Sequence, residues 1–368
     1  MARPSMPIIR SGQVTAFFLY DVAEAIDLQR VRGLVGGAVS ARLNPKPTTP
    51  PYVQYQQPPL AVDGDAVGMP GVDGFRARFK IFDYGVISVA FTAPIPPSWE
   101  ELLTRGLKWQ DDPLLTLDAE ASCRRLIEQL RPAMTSARDT FVTEDYVVFA
   151  ATAVDDARTA EELLALHGNE IAQLLRGERE TLSAQEREEV LRHRISYLAN
   201  DLVVPTWNAA FVYDTDAGAQ AALEILEFAN SQLLEFRYYD GLLDAELARI
   251  YAQLQVERPL QNWVGRKYTR AARQVHALFI DVNELTDKTE NALKIGGDVY
   301  AARLFALAVA RLGLDQWKNN VREKLKTLDD IYRFAVEQTA MGRGEFLELT
   351  IVLILILELI LFFLGIMK

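Results

Sequence analysis

The chain has 368 residues, 49% hydrophobic and 24% charged, which excludes a disordered chain and allows two or three folded units. Its 39 Lys and Arg stand against 50 Asp and Glu, a formal charge of −11, which argues against a protein that coats nucleic acid through bulk charge. Cys123 is the only cysteine, and His167, His193 and His276 lie far apart, so a disulfide framework, a cysteine zinc cluster and an H-E-x-x-H site are excluded.

The first element is a β run, VTAFFLY, over 14–20. Helical spacing of Val22, Ile26, Val31 and Val35 follows, with Asp21 available as a cap. Residues 44–74 are rich in Pro and Gly and read as a loop insertion. FRARFKIF over 75–82 and VISVAFT over 86–92 flank Asp83-Tyr84-Gly85 and predict a hairpin. A helix is expected after Pro97 and Ser98, with Trp99, Leu102, Leu103 and Leu107 inward, then another over 118–136. A strand over 145–153 and helices near 159–176 and 184–194 come next. Residues 195–199 and 201–213 read as strands, with Pro205 demanding an edge or a break.

From Asp214 the pattern turns helical, with Asp216 as a cap and Leu223, Leu226, Leu233 and Leu234 on one side. Helices are expected over 258–287 and 289–312, and a last one near Asp315 carries Trp317, Val321, Leu325, Leu328 and Ile331. Residues 346–367 are almost wholly apolar. As a helix they would extend roughly 33 Å, enough for a hydrocarbon core of about 30 Å. Basic residues from Arg311 to Arg343 precede this stretch, which would place the bulk of the chain in the cytoplasm. Glu358 would sit inside the membrane, protonated or against a partner helix.

The order of elements predicts an α+β chain. Its parts are a ferredoxin-like α/β head with inserts (1–213), an antiparallel helical or coiled-coil stalk (214–345) and one C-terminal transmembrane helix (346–367). The 44–74 loop belongs to the head.

Chemistry-bearing motifs are sparse. The Gly33–Gly37 run matches neither a dinucleotide fingerprint nor a P-loop, and no G-x-S-x-G elbow occurs. Cys123 precedes two arginines but reads as a small residue on an amphipathic helix. Asp281, Glu284 and Asp287 could share a helical face, which reads as solvated. Arg266, Lys267, Arg270 and Arg273 form a basic stripe beside Trp263 and Tyr268, a candidate surface for anionic lipid or RNA. Glu235, Arg237, Tyr238, Tyr239 and Asp240 form a second cluster, for packing or binding, in which Arg237 could pair with Glu235 or Asp240.

Phe82-Asp83-Tyr84-Gly85-Val86-Ile87 in the hairpin, the head–stalk order and the stretch from Trp317 through Ile331-Tyr332 and Glu345-Phe346-Leu347-Glu348 into ILILELIL carry a resemblance. They resemble the YagE-type proteins, whose eukaryotic members are named for a requirement in meiotic nuclear division. This sequence lacks the Lys-Leu-Asp segment of that family and has Ala199–Trp207, ANDLVVPTW, in its place. The resemblance implies a tail-anchored membrane protein without catalytic residues, mitochondrial members acting as organisers in support of translation.

The expected function is therefore a non-enzymatic, cytoplasm-facing scaffold, tethered to the membrane, oligomeric and without a cofactor. Its partners would be the lipid bilayer, further copies of itself and a protein or ribonucleoprotein. The bacterial plasma membrane is the expected location, with the mitochondrial inner membrane as the alternative. Two other readings stand beside it: a subunit of an oligomeric cation channel with a CorA-like layout and Glu358 in the pore, or a membrane-tethered enzyme acting through the head.

Overall fold

The computed structural model describes residues 9–35, 39–40, 58–69, 72–255, 278–280, 282–283, 286, 299–331, 333 and 351–354. The chain divides into two compact units, Met1–Tyr238 with Thr286–Trp317, and Tyr239–Leu285 with Lys318–Lys368.

The first unit is built on a mixed eight-stranded sheet. In chain order its elements are β1 (Ile9–Asp21), β2 (Ala25–Ile26), α1 (Leu28–Val35), β3 (Val39–Ser40), β4 (Leu60–Met69), β5 (Val72–Ile81) and β6 (Val86–Pro94). Then come α2 (Trp99–Gln110), α3 (Pro113–Leu130), β7 (Met134–Thr135), β8 (Val142–Val154), α4 (Ala160–Arg176) and α5 (Ala184–Arg192). After these follow β9 (Leu202–Pro205), β10 (Ala209–Tyr213), α6 (Asp216–Gln255) and α7 (Val299–Arg311). The strand order is β3-β4-β5-β6-β1-β8-β10-β9, with β2 and β7 pairing separately. β8 and β10 run parallel, and the other neighbours in the large sheet run antiparallel.

Strand alternation sorts the two faces. On β1, Val14, Ala16, Phe18 and Tyr20 enter the core formed with Trp99, Leu102, Leu126 and Leu163 of α2, α3 and α4. The intervening Gln13, Thr15 and Phe17 instead line a cleft shared with α6. Across that second face, Phe228 of α6 stacks on Phe305 of α7 with ring centroids 5.5 Å apart.

Local chemistry sets the element ends. Ser98 and Asp112 cap α2 and α3, and Pro113 occupies the first turn of α3, where its missing N–H costs nothing. Thr159 and Glu162 close a capping box at α4, and Gly177, at φ 70°, ends that helix in the left-handed region. The β5–β6 hairpin turns at Gly85, whose φ of 92° and position beside the Ala23 carbonyl leave no room for a Cβ.

Several expectations are corrected. The head is not a ferredoxin-like sandwich: β4 and β5 extend the sheet beyond β6, while β10 and β9 extend it beyond β8. Part of the 44–74 stretch is strand, because β4 and the start of β5 fall within it. Ile195 contributes only an isolated bridge to Val203. The first part of α6, expected in the antiparallel helical stalk, lies against the sheet with Leu223, Leu226 and Phe228 buried.

The expected transmembrane helix is not borne out: among the described residues no helix is long and apolar enough to cross a membrane. Of the stretch 346–367, only residues 351–354 are described, as an exposed helical turn. Glu358 lies outside the described residues. A further helix, over residues 314–331, follows α7. In the second unit Lys324 bridges Asp240 at 2.7 Å and Asp244 at 2.6 Å.

Candidate functional site: a charged cleft on the sheet

The side chains of Arg76, Arg78 and Lys80 follow one another at every second residue of β5, so they share the face opposite Ala77, Phe79 and Ile81. On α6, Gln220, Glu224, Glu227 and Ser231 recur at steps of four, three and four residues, which places them on one helical stripe. Stripe and strand meet in a cavity of about 460 Å³ within the first unit. That volume falls in the range of small-molecule sites.

The floor is the ion pair of Lys80 and Glu227, whose side chains are only 8% and 4% exposed. Glu227 gives Lys80 one carboxylate oxygen, Oε2. Its other oxygen, Oε1, is buried without a hydrogen-bond partner, and the residue lines the cavity. An unpartnered oxygen of this kind is costly unless something occupies the space beside it. Glu224 is half-buried, and burial pushes its carboxyl above the ordinary range; Lys80 counters this, Glu227 reinforces it, and Gln220 and Arg78 oppose it. At the mouth, Arg78 hydrogen-bonds Asp63 at 3.1 Å, with both side chains more than half exposed. Arg76 is exposed and among the described residues has no ion-pair partner.

The same helix face is pinned at two further places. Tyr84 Oη and Ser231 Oγ lie 2.7 Å apart. Beyond them, Arg237 pairs with Glu144 of β8 and lies 5.8 Å from the Trp317 ring. Near the end of β1, fully buried Asp21 accepts from Arg138, which also donates to the Ala23 carbonyl and sits 3.9 Å from the Tyr238 ring centre. Burial pushes the Asp21 carboxyl up to about 7, outweighing Arg138.

The sequence-derived candidates fare differently. The cluster at Glu235–Asp240 is present on α6, but Arg237 takes Glu144 as its partner, and Asp240 takes Lys324. Glu235 is buried, and Tyr238 and Tyr239 are partly so. Arg266, Lys267, Arg270 and Arg273 lie outside the described residues, as do Asp281, Glu284 and Asp287. Cys123 is fully buried on α3, and burial raises its thiol well above the ordinary value. His167 lies between the Trp99 ring, stacked at 4.4 Å, and Asp156, 2.9 Å from its Nε2. The cleft was missed, although the Arg-x-Arg-x-Lys alternation of β5 stands in the sequence.

Fold and site together define a layered α/β protein with a charged cleft between a mixed sheet and one long helix. The chain belongs to the family of the MJ0711 N-terminal domain, whose model matches residues 11–220, from β1 into the first turn of α6. An uncharacterised protein of Methanocaldococcus jannaschii, MJ0711, is 27% identical over 192 residues, covering 52% of this chain and 58% of that protein. The match thus spans little more than half the length of that relative. No solved structure matches. These findings replace the resemblance to the YagE-type proteins.

Proposed function

We propose that the chain acts by binding a small charged molecule in the cleft between β4, β5, β6, β1 and α6, without catalysing its conversion. The observation that carries this reading is Glu227, buried to 3% exposure with Oε1 unpartnered where it lines a cavity of about 460 Å³. A polar atom left in that state favours a ligand that supplies its missing hydrogen bond. The binding reading is further supported by how the reactive side chain types are used. Cys123 is enclosed in the core, and His167 is packed between Trp99 and Asp156. The non-enzymatic part of the sequence-based expectation is kept here, and its membrane tether is not.

A thermal-shift survey of the full chain against small charged metabolites tests the reading. Selective binding to the native state raises the melting temperature in proportion to the logarithm of ligand concentration. The expected result is a concentration-dependent rise that disappears in Thr92→Trp, which fills the cleft. A survey in which no compound shifts the transition would overturn it.

A further inference from the structure

The two ends of the cleft carry opposite charge. At the exposed mouth, Arg76 and Arg78 face one carboxylate, Asp63. At the buried floor, Glu224 and Glu227 face one ammonium, Lys80. With every group ionised, the mouth holds one positive charge in excess and the floor one negative charge.

We propose that the ligand of this cleft is a zwitterion, whose cationic amine enters toward Glu224 and Glu227 while its carboxylate is held by Arg76 and Arg78; this rests on the binding role proposed above. Three features carry it. The Oε1 atom of Glu227 is an acceptor without a donor, and an ammonium is a donor with no acceptor function. Glu224 stands beside it and, among the described residues, has no ion-pair partner, since Lys80 is committed to Glu227 and acts on Glu224 only from a distance. A second cation at the floor, between the two carboxylates, would offset both the cost of burial and the like-charge repulsion that Glu224 now bears. At the other end, Arg76 offers a guanidinium with a fork of donors, the geometry that suits a carboxylate. The Arg78–Asp63 pair is exposed, and such pairs contribute little, so an incoming carboxylate can share Arg78 at small cost.

A simple anion would satisfy only the mouth, and a simple amine only the floor. The chain therefore selects by the separation of two charges rather than by either alone. Arg76 and Lys80, the partner of Glu227, lie four residues apart on β5, so the preferred ligand carries its amine and its acid group on separate carbons.

The test is calorimetry of the full chain with three probes of matched length: 5-aminovalerate, valerate and pentylamine. The expected result is that 5-aminovalerate binds at least tenfold more tightly than either singly charged probe. Glu224→Gln should abolish that advantage without weakening valerate binding, and Arg76→Ala should weaken both acids. Glu224 is half-buried and outside the Lys80–Glu227 pair, so its variant should fold, which circular dichroism checks. Equal affinity for valerate and 5-aminovalerate, or a preference for pentylamine, would overturn the zwitterion while leaving a binding cleft in place. No heat with any of the three, alongside a thermal shift with some other charged compound, would also overturn it. No heat and no thermal shift with any compound would remove both proposals.

Discussion

Lys80 of β5 and Glu227 of α6 are joined across the second face of the sheet, both almost completely buried. Removing one partner from such a pair strands the other charge in a poorly solvated place. Lys80→Met should therefore cost about 3–5 kcal/mol of unfolding free energy. Lys80→Met combined with Glu227→Leu should recover most of that loss, because neither charge is then left alone. Chemical denaturation of the three variants forms the double-mutant cycle that checks it.

Asp21 gives the fold a pH dependence of defined sign. Its folded-state value, about 7, lies above the unfolded value of 3.8. The native state therefore holds a proton that the unfolded state releases between those limits. The stabilisation is fully present below about pH 4 and is lost as pH rises through about 7. Arg138, which donates to Asp21, opposes the effect without reversing it. Melting temperatures measured between pH 4 and 8 should show this decline in the wild type, and Asp21→Asn should flatten that contribution.

Gly85 admits no side chain. At φ 92° an ideal Cβ would stand 1.9 Å from the Ala23 carbonyl oxygen, and Val22 N donates to the Gly85 carbonyl at 3.0 Å. Gly85→Ala should lose at least about 1–3 kcal/mol from the left-handed backbone alone, with the contact adding to it. Urea denaturation of the variant measures the sum.

The Cys123 thiol should be inert while the fold holds. It is fully buried on α3, and burial disfavours the reactive thiolate. Labelling with a disulfide reagent should be slow in buffer and accelerate sharply at the unfolding midpoint. Rapid labelling in native buffer would show that α3 opens locally.

Much of the fold was legible where a single period governs the chain. The β5–β6 hairpin declared itself through alternation around Asp83-Tyr84-Gly85, and Pro205 marked the strand that ends the sheet. The fourth strand was hidden because Gly64, Gly68, Asp63 and Asp65 interrupt its apolar residues, so its place in the sheet comes from pairing with β5. The third helix begins at Pro113, ahead of the expected 118, because Asp112 caps it and Pro113 suits its first turn. The site was harder to read for a different reason. Arg76, Arg78 and Lys80 look like an ordinary solvated strand face until α6 is laid over them. On α6 itself, Glu224 and Glu227 sit among apolar neighbours at Leu223, Leu226 and Phe228, and nothing local says that the acids also point inward. Cooperation between a strand and a helix more than 140 residues apart is a tertiary fact.

The last strand of the sheet bears on how the protein tolerates crowding. β9 has four residues, all buried, and closes on Pro205, which has no amide hydrogen to offer a newcomer. A flat, long outer strand would serve as a template on which another chain could lay down its own backbone. Here Val203 already exchanges both of its outward backbone hydrogen bonds with Ile195, and Pro205 has no donor, so fibril growth from this border is discouraged by backbone pairing and covalent structure rather than by charge. Variants that restore an amide there, such as Pro205→Val, would remove that safeguard while leaving the native hairpin with β10 in register.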